Sequence, residues 1–124
     1  MKIALALTAL AAAALPTSAS AHHSFAMFDQ TREVKLVGVV REFQYTNPHI
    51  WIQVVVPRSG NKPATEWSIE GASVNTVKRM GWNRSIIKPG DKVTVIINPM
   101  KNGDNGGSLK SITLPDGKVL GRGG

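Results

Sequence analysis

The chain contains no cysteine among its 124 residues. This absence excludes disulfide bonds, thiolate metal sites and lipid attachment at a cysteine after an export signal. The sequence also lacks the G-x-S-x-G, H-E-x-x-H and phosphate-loop motifs, and its acidic residues show no spacing typical of a general acid and base pair. We therefore predict that the protein is not an enzyme. We also expect its fold to be stabilised by the hydrophobic core alone.

Long hydrophobic runs are scarce, and the one present lies at the N-terminus. A lysine at position 2 precedes an apolar stretch over residues 3–15, and the small-x-small pattern ASA follows at 19–21. This order is typical of a cleavable secretory signal peptide. The run is too short to cross a bilayer core of roughly 30 Å. We expect removal of residues 1–21, with cleavage after Ala19 as an alternative to Ala21, and a periplasmic or secreted product without a transmembrane segment.

Negative charge is also limited, because 15 Lys and Arg stand against 8 Asp and Glu and the formal net charge is +7. Such a surplus favours acidic partners and adhesion to anionic surfaces. The basic residues are scattered rather than clustered, and an exported protein rarely meets nucleic acid. We therefore predict no nucleic-acid partner, while an anionic or peptidic component of the cell envelope stays a candidate.

Five segments carry the alternation and the β-branched enrichment of strands. They are Val34–Tyr45, His49–Val56, Ala64–Gly71, Val93–Asn98 and Leu109–Leu114. Gly38, inside the first segment, is a natural position for a β-bulge or bend. One short helix is predicted over Val74–Met80, with Ser73 as its N-cap and Gly81 as its stop. The glycine-rich stretch KNGDNGGS is predicted to be a loop.

This element order predicts an all-β fold, a five-stranded OB-like Greek-key barrel with one short helix between strands three and four. A small open sandwich with the same elements is the alternative. The expected organisation is an N-terminal arm over residues 22–33, a single barrel domain over 34–120 and a flexible tail over 121–124. Barrels of this class often bind ligands across strands two and three, although the fold alone does not define a function.

Side-chain parity on the second strand separates two faces. The aliphatic residues Ile50, Ile52, Val54 and Val56 share one face, which we expect to point inward, whereas His49, Trp51 and Gln53 share the other. Trp51 and Gln53 are therefore candidate ligand-binding residues. As an alternative, Trp51 packs beneath the N-terminal segment in a second small core. On strand three, Trp67 and Ile69 are predicted to face the main core, Glu66, Ser68 and Glu70 to face outward, and Trp82 to close one end of the barrel.

Two of the three histidines, His22 and His23, follow directly after the predicted cleavage site. Cleavage after Ala21 leaves His22 with a free α-amine and an imidazole, and both groups lose their protons near neutral pH. A third nitrogen from His23 or His49 completes a tetragonal arrangement that suits Cu(II), with Zn(II) as a competitor. The candidate metal ligands are therefore His22, His23 and His49, although a disordered terminus and a turn histidine at 49 are the simpler alternatives.

Three methionines also carry possible metal ligands. The thioethers of Met27, Met80 and Met100 bind soft Cu(I), but methionine more often fills gaps in a core. The leading hypothesis from the residues is a non-enzymatic periplasmic binding module with a candidate Cu(II) site. The alternative is a structural or interaction protein of the envelope that binds an anionic or peptidic partner through an exposed aromatic and basic face.

Several motifs together resemble a known family. HHSFAMFD after the signal, TNPHIWI on strand two, SVNTVKRMGW, IKPGDKVTV and SITLPDGKVL are similar to a family of short exported bacterial proteins described as domain of unknown function 6152. The resemblance covers essentially the whole chain after the signal. It implies an exported β-rich, OB-like domain, and it brings no established activity, substrate or site residue. Val74, at the start of the predicted helix, departs from the family pattern, where proline is usual.

Overall fold

A computed structural model describes residues 25–121, so the predicted signal peptide, His22 and His23 lie outside the described residues. The described part contains a short 3₁₀ turn, six strands and one α-helix. In chain order these are the turn Phe25–Met27, β1 (Val34–Gln44), β2 (Trp51–Val56), β3 (Thr65–Glu70), α1 (Val74–Arg79), β4 (Lys92–Pro99), β5 (Gly106–Thr113) and β6 (Val119–Gly121).

The strands form one sheet that closes on itself. Antiparallel pairing runs in the order β3-β2-β1-β4-β5-β6, and a parallel pairing of β3 with β5 joins the two sides. The closed barrel thus consists of β1 to β5, while β6 extends the sheet beside β5. The predicted five-stranded OB-like barrel with one short helix between strands three and four is confirmed.

The glycine-rich stretch before the fifth strand differs from the sequence prediction. We predicted this strand to begin at Leu109, but β5 begins at Gly106. The reason is the closeness of β4, since a Cβ on Gly107 would lie 2.5 Å from the carbonyl oxygen of Asn98. Glycine therefore serves here as a strand residue that lets the backbones of β4 and β5 approach closely. The sequence prediction missed this role because a glycine-rich stretch is typical of a loop. At the other end Gly121 belongs to β6 rather than to the predicted tail.

The irregularity in β1 also lies elsewhere than predicted. The register between β1 and β2 shifts between Val40 and Glu42, beyond the position of the bulge expected at Gly38. Gly38 itself lies in regular pairing. A Cβ at that position would lie 2.4 Å from the carbonyl oxygen of Val55, so the glycine permits close approach of β1 and β2.

The core fills the interior of the barrel with aliphatic side chains. The strand residues Ile52, Val54, Ile69, Val95, Ile97 and Ile112 are fully buried, as is Ile50 just before β2. The predicted inward face of strand two and the inward position of Ile69 are therefore found, whereas Val56 and Trp67 are half-buried at the border of the core. Trp82 is 2% exposed and its ring lies 6.0 Å from that of Phe43, so it belongs to the core, as expected of a side chain that closes the barrel.

Helix α1 is held at its start by two side chains. Ser73 Oγ accepts a hydrogen bond from the backbone N–H of Thr76 at 3.2 Å, as predicted for the N-cap. Asn47 Oδ1 accepts one from the N–H of Val74 at 3.1 Å, and the Asn47–Pro48 peptide bond is cis. The loop before β2 is thereby joined to the helix.

Within residues 25–121, no helix has the length and apolar character needed to cross a lipid bilayer.

Candidate functional site

The outer surface of the β2–β3 hairpin carries the residues that sequence parity placed together. Cross-strand pairing sets Trp51 opposite Glu70 and Gln53 opposite Ser68. His49 lies just before β2 and shares the parity of Trp51. We term this surface, formed by His49, Trp51, Gln53, Ser68 and Glu70, the Trp51 face.

A pocket of about 280 Å³ opens on the Trp51 face. Its apolar lining comes from Met27, Phe28, Trp51 and Met100, and its polar lining includes Ser68, Glu70 and Asp104. Gly106 forms part of the floor, where a Cβ would lie 3.0 Å from the carbonyl oxygen of Ser68. The lining therefore joins apolar surface, two thioethers and two carboxylates.

The N-terminal segment forms one wall of this pocket. Phe28 is 5% exposed and pairs with Met100 in an antiparallel bridge. The backbone N–H of Asp29 donates to the Pro99 carbonyl at 2.8 Å, and the N–H of Lys101 donates to the Met27 carbonyl at 3.0 Å. Trp51 therefore lies next to the N-terminal segment, as its alternative interpretation expected, yet the contact leaves an open pocket.

A tight turn anchors the segment where it enters the barrel. The hydroxyl of Thr31 donates to Asp29 Oδ1 at 2.6 Å, and the backbone N–H of Thr31 donates to the same oxygen at 3.1 Å. These two bonds favour the ionised carboxylate and hold the pKa of Asp29 below its ordinary value of 3.8. The turn thus helps to fix the position from which the arm departs.

His49 lies beside the pocket in a defined orientation. Its Nδ1 lies 3.1 Å from the carbonyl oxygen of Gly71. A carbonyl only accepts hydrogen bonds, so Nδ1 carries the proton and the neutral ring has its lone pair on Nε2. Nε2 lies 3.5 Å from Glu70 Oε1. Two groups that both accept hydrogen bonds face each other here unless a proton or a cation lies between them.

Glu70 is the site residue whose role the sequence did not reveal. It is 8% exposed, and within residues 25–121 the one ion-pair partner of its carboxylate is the His49 ring, which carries a charge only when Nε2 is protonated. Burying an ionised carboxylate is costly unless a partner compensates it. The sequence could have indicated that Glu70 belongs to the site, because pairing strands two and three in a hairpin sets this acidic residue opposite Trp51. We predicted that Glu70 faces outward, but not that residues 104–107 and the N-terminal segment line a pocket around it.

Gln53 does not line the pocket. Its Nε2 donates to Gln44 Oε1 on β1 at 3.3 Å, which turns the side chain toward the neighbouring strand. Farther along the same surface Arg41 forms a hydrogen-bonded ion pair with Glu66, and this bond raises the pKa of Arg41. Of the two predicted ligand-face residues, Trp51 therefore borders the cavity and Gln53 does not.

The charge around the pocket is opposite in sign to that of the whole chain. Glu70 and Asp104 line the pocket, and none of its lining residues in the described part of the chain is a Lys, Arg or His. The local field therefore favours a cation, although the net charge of the chain predicts an anionic partner.

The predicted metal ligands are divided between the described and the remaining parts of the chain. His49 lies on the Trp51 face, whereas His22 and His23 lie outside the described residues. Among residues 25–121 no group of three His, Asp or Glu side chains converges. The described part thus brings His49 Nε2 and Glu70 Oε1 to 3.5 Å from each other, with no third His, Asp or Glu side chain beside them.

Comparison with known proteins gives one family and one distant structural likeness. The family described as "Family of unknown function (DUF6152)" matches residues 9–110. No curated protein matches the sequence significantly. The crystal structure of the mitochondrial single-stranded DNA binding protein Rim1 from S. cerevisiae is similar in fold, with a TM-score of 0.51 and 13% sequence identity over 67% of this chain and 92% of that chain. At this identity the likeness concerns the fold alone.

Proposed function

This chain belongs to the DUF6152 family, whose function is unknown, and from the geometry of the Trp51 face we propose that it is a non-enzymatic, exported copper-binding module. The observation that carries the proposal is the arrangement of His49 and Glu70. An imidazole with its Nδ1 proton committed to a backbone carbonyl presents Nε2 as a metal ligand, and the hydrogen bond fixes the ring. A carboxylate stands 3.5 Å away, so both atoms can lie about 2 Å from one ion.

The remaining ligands are proposed to come from the N-terminal arm. Met27 lines the pocket, and four residue steps separate it from His23. An extended chain covers at most about 3.6 Å per residue, so His23 has its Cα within about 14 Å of that of Met27. We propose that His22 and His23, together with the α-amine left by cleavage after Ala21, supply the remaining ligands from within this length of chain.

The nature of the donors supports Cu(II) over other ions. Nitrogen donors from His49 and from the arm, together with one carboxylate oxygen, make up the proposed set, and tetragonal N and O ligation suits Cu(II), which has the highest intrinsic affinity among the divalent first-row ions. Zn(II) remains the competitor, because imidazole and carboxylate also suit it. A competition titration separates the two ions.

The second candidate function is that of an envelope interaction protein. The pocket favours a partner group with an apolar body and a positive charge over the anionic partner expected from net charge, because Glu70 and Asp104 border it. The yeast structure is that of a single-stranded DNA binding protein. In the present pocket, however, the carboxylates of Glu70 and Asp104 would repel the phosphates of a nucleic acid. We therefore keep the prediction of no nucleic-acid partner.

The test is a titration of the correctly processed protein with Cu(II) at neutral pH. Calorimetry measures the affinity and stoichiometry, and electron paramagnetic resonance identifies the ligand atoms. We expect one-to-one binding with nitrogen hyperfine structure. His22→Ala, His49→Ala and Glu70→Gln are each expected to weaken binding at least tenfold, since each removes a ligand. Glu66→Gln is the matched control, because it removes a carboxylate from the same face of the same strand, away from the pocket.

Three results would overturn this proposal. The first is unchanged Cu(II) affinity in both His49→Ala and Glu70→Gln, which would leave only the ordinary affinity of a histidine-containing terminus. The second is preferential binding of Zn(II) in competition, which would replace the proposed metal. A dependence on His22 without one on His49 would likewise contradict a site shared by the arm and the barrel.

A further inference from the structure

We propose that Met27 and Met100 bind a soft monovalent ion, Cu(I) or Ag(I), in the pocket beside Trp51. The inference deepens the proposed copper-binding function by adding a second set of donors on the same face. It rests on that function for its physiological meaning, but the binding itself is tested separately. The two thioethers come from segments far apart in the chain, and the Phe28–Met100 bridge brings these segments together.

The position of these methionines differs from that of methionines that fill gaps in a core. A gap-filling side chain is enclosed by other apolar groups. Met27 instead is 38% exposed, and Met100 is half-buried. Both residues line one open pocket, as an ion site built from two thioethers requires.

The floor of the pocket is shaped around one of them. A Cβ on Gly106 would lie 3.4 Å from Met100 Cγ and 3.0 Å from the Ser68 carbonyl oxygen. The tight contact would be with the Ser68 carbonyl oxygen, so the glycine keeps this side of the pocket open next to Met100. Any other residue would narrow this space.

The chemistry of the lining selects a soft cation of low charge. Thioether sulfur is a neutral, polarisable donor that favours Cu(I) over the harder divalent ions. The face of a tryptophan ring attracts a cation electrostatically, and Trp51 borders the same pocket. Glu70 and Asp104 add negative potential, while the apolar walls from Phe28 and the methionines limit access of water.

His49 connects this site to the proposed Cu(II) site. Its Nε2 faces Glu70, which lines the pocket, so an imidazole donor stands at the pocket border. Thioethers and imidazole together suit the monovalent ion, whereas the nitrogen donors of the arm suit the divalent one. The two sets of ligands therefore share a face and are distinguished by the ion that each prefers.

The experiment uses Ag(I) as a redox-inactive substitute for Cu(I), added as silver nitrate in chloride-free buffer to the processed protein. With 13C-labelled methionine methyl groups, we expect the resonances of Met27 and Met100 to shift on addition of one equivalent. The resonance of Met80 is expected to stay in place, because Met80 lies at the end of α1, 45% exposed and outside the pocket lining. This measurement needs no substitution and so does not depend on a variant that folds.

Variants provide the second arm. Met27→Leu and Met100→Leu preserve apolar bulk and remove sulfur, and each is expected to lower Ag(I) affinity at least tenfold, whereas the control Met80→Leu retains it. Equal shifts of all three methyl resonances, or unchanged affinity in the Met27→Leu, Met100→Leu double variant, would overturn the proposal. If an organic cation with a quaternary ammonium group binds the pocket while Ag(I) does not, the occupant is of a different class and the proposal is wrong.

Failure of this site and failure of the proposed function are separable. Loss of Ag(I) binding in the methionine variants with Cu(II) binding intact supports two distinct donor sets. If Ag(I) binding depends on the methionines while Cu(II) affinity is unchanged by substitution of His49 and Glu70, the result supports the soft-ion site and contradicts the histidine site. Cu(II) binding that depends on His49 and Glu70, with methionine-independent Ag(I) binding, supports the histidine site and contradicts the soft-ion site.

Discussion

At the scale of the single residue, Glu70 is the side chain whose environment most needs a functional explanation. It is nearly enclosed, and its ion pair within residues 25–121 is a 3.5 Å contact with a histidine nitrogen. In the absence of a cation, the folded protein has to bury a charge with little compensation. Groups retained at such a cost are often ligands or participants in chemistry rather than contributors to stability.

Removal of this charge is expected to leave the metal-free fold intact. Glu70→Gln keeps the shape of the side chain and removes its charge, so the metal-free protein is expected to be as stable as the original or more stable by about 1 kcal/mol. Urea unfolding in the presence of a chelator measures this change. With excess Cu(II) we expect the original protein to be more stable than Glu70→Gln. An ion that binds only the folded state stabilises the protein that binds it more tightly.

The outcome that contradicts this view is a large loss of stability in the metal-free Glu70→Gln protein. Such a loss would make Glu70 a structural partner of His49. Glu66→Gln is again the control, since its exposed pair with Arg41 is screened by solvent and is expected to contribute little to stability.

At the scale of the element, the β2–β3 hairpin and helix α1 together position the site. Hairpin register sets Trp51 opposite Glu70, and the chain then turns directly into α1 at Ser73. The loop that carries His49 is bound to the start of this helix, because Asn47 Oδ1 accepts a hydrogen bond from the N–H of Val74. The orientation of His49 therefore depends on an element outside the sheet.

The N-cap of helix α1 is expected to contribute measurably to stability. The helix has six residues, so one capped N–H is a large share of its stability, and Ser73→Ala is expected to cost about 1 kcal/mol. In a domain of this size such a loss lowers the melting temperature by about 4–8 °C. Ser85→Ala in the exposed loop after the helix is the control, because Ser85 contributes its backbone N–H to a hydrogen bond with Asn83. Equal effects of the two substitutions would contradict the capping role.

At the scale of the whole molecule, closure of the barrel creates the pocket. The parallel pairing of β3 with β5 sets Ser68 beside Gly106 and Glu70 beside Ser108. The N-terminal segment then packs across the same region through the Phe28–Met100 bridge. Segments from the start, the middle and the end of the domain thus meet at one site.

Close packing of β4 against β5 is expected to depend on Gly107. In Gly107→Ala the new Cβ would lie 2.5 Å from the Asn98 carbonyl oxygen and 2.7 Å from Ile97 Cδ1, so β4 and β5 have to separate. We expect a loss of about 1–3 kcal/mol in the free energy of unfolding, measured by denaturant titration. The control is Gly121→Ala on β6, where the nearest atom, Met80 Cε, lies at an ordinary 3.5 Å. A Gly107→Ala protein as stable as the control would show that close packing at this point is unnecessary.

The sequence by itself determined the five barrel strands, the capped helix, the barrel class and the side of β2 on which Trp51 lies, but it did not predict β6. These features are local, since strand periodicity, proline breaks and N-caps act over a few residues. Only the tertiary structure decided four other features. These are the enclosure of Glu70, the orientation of Gln53 toward β1, the strand role of Gly106 and Gly107, and the placement of Met27 and Met100 at one pocket. Each of these depends on pairing between segments distant in the chain, and such pairing is set by closure of the whole barrel rather than by neighbouring residues.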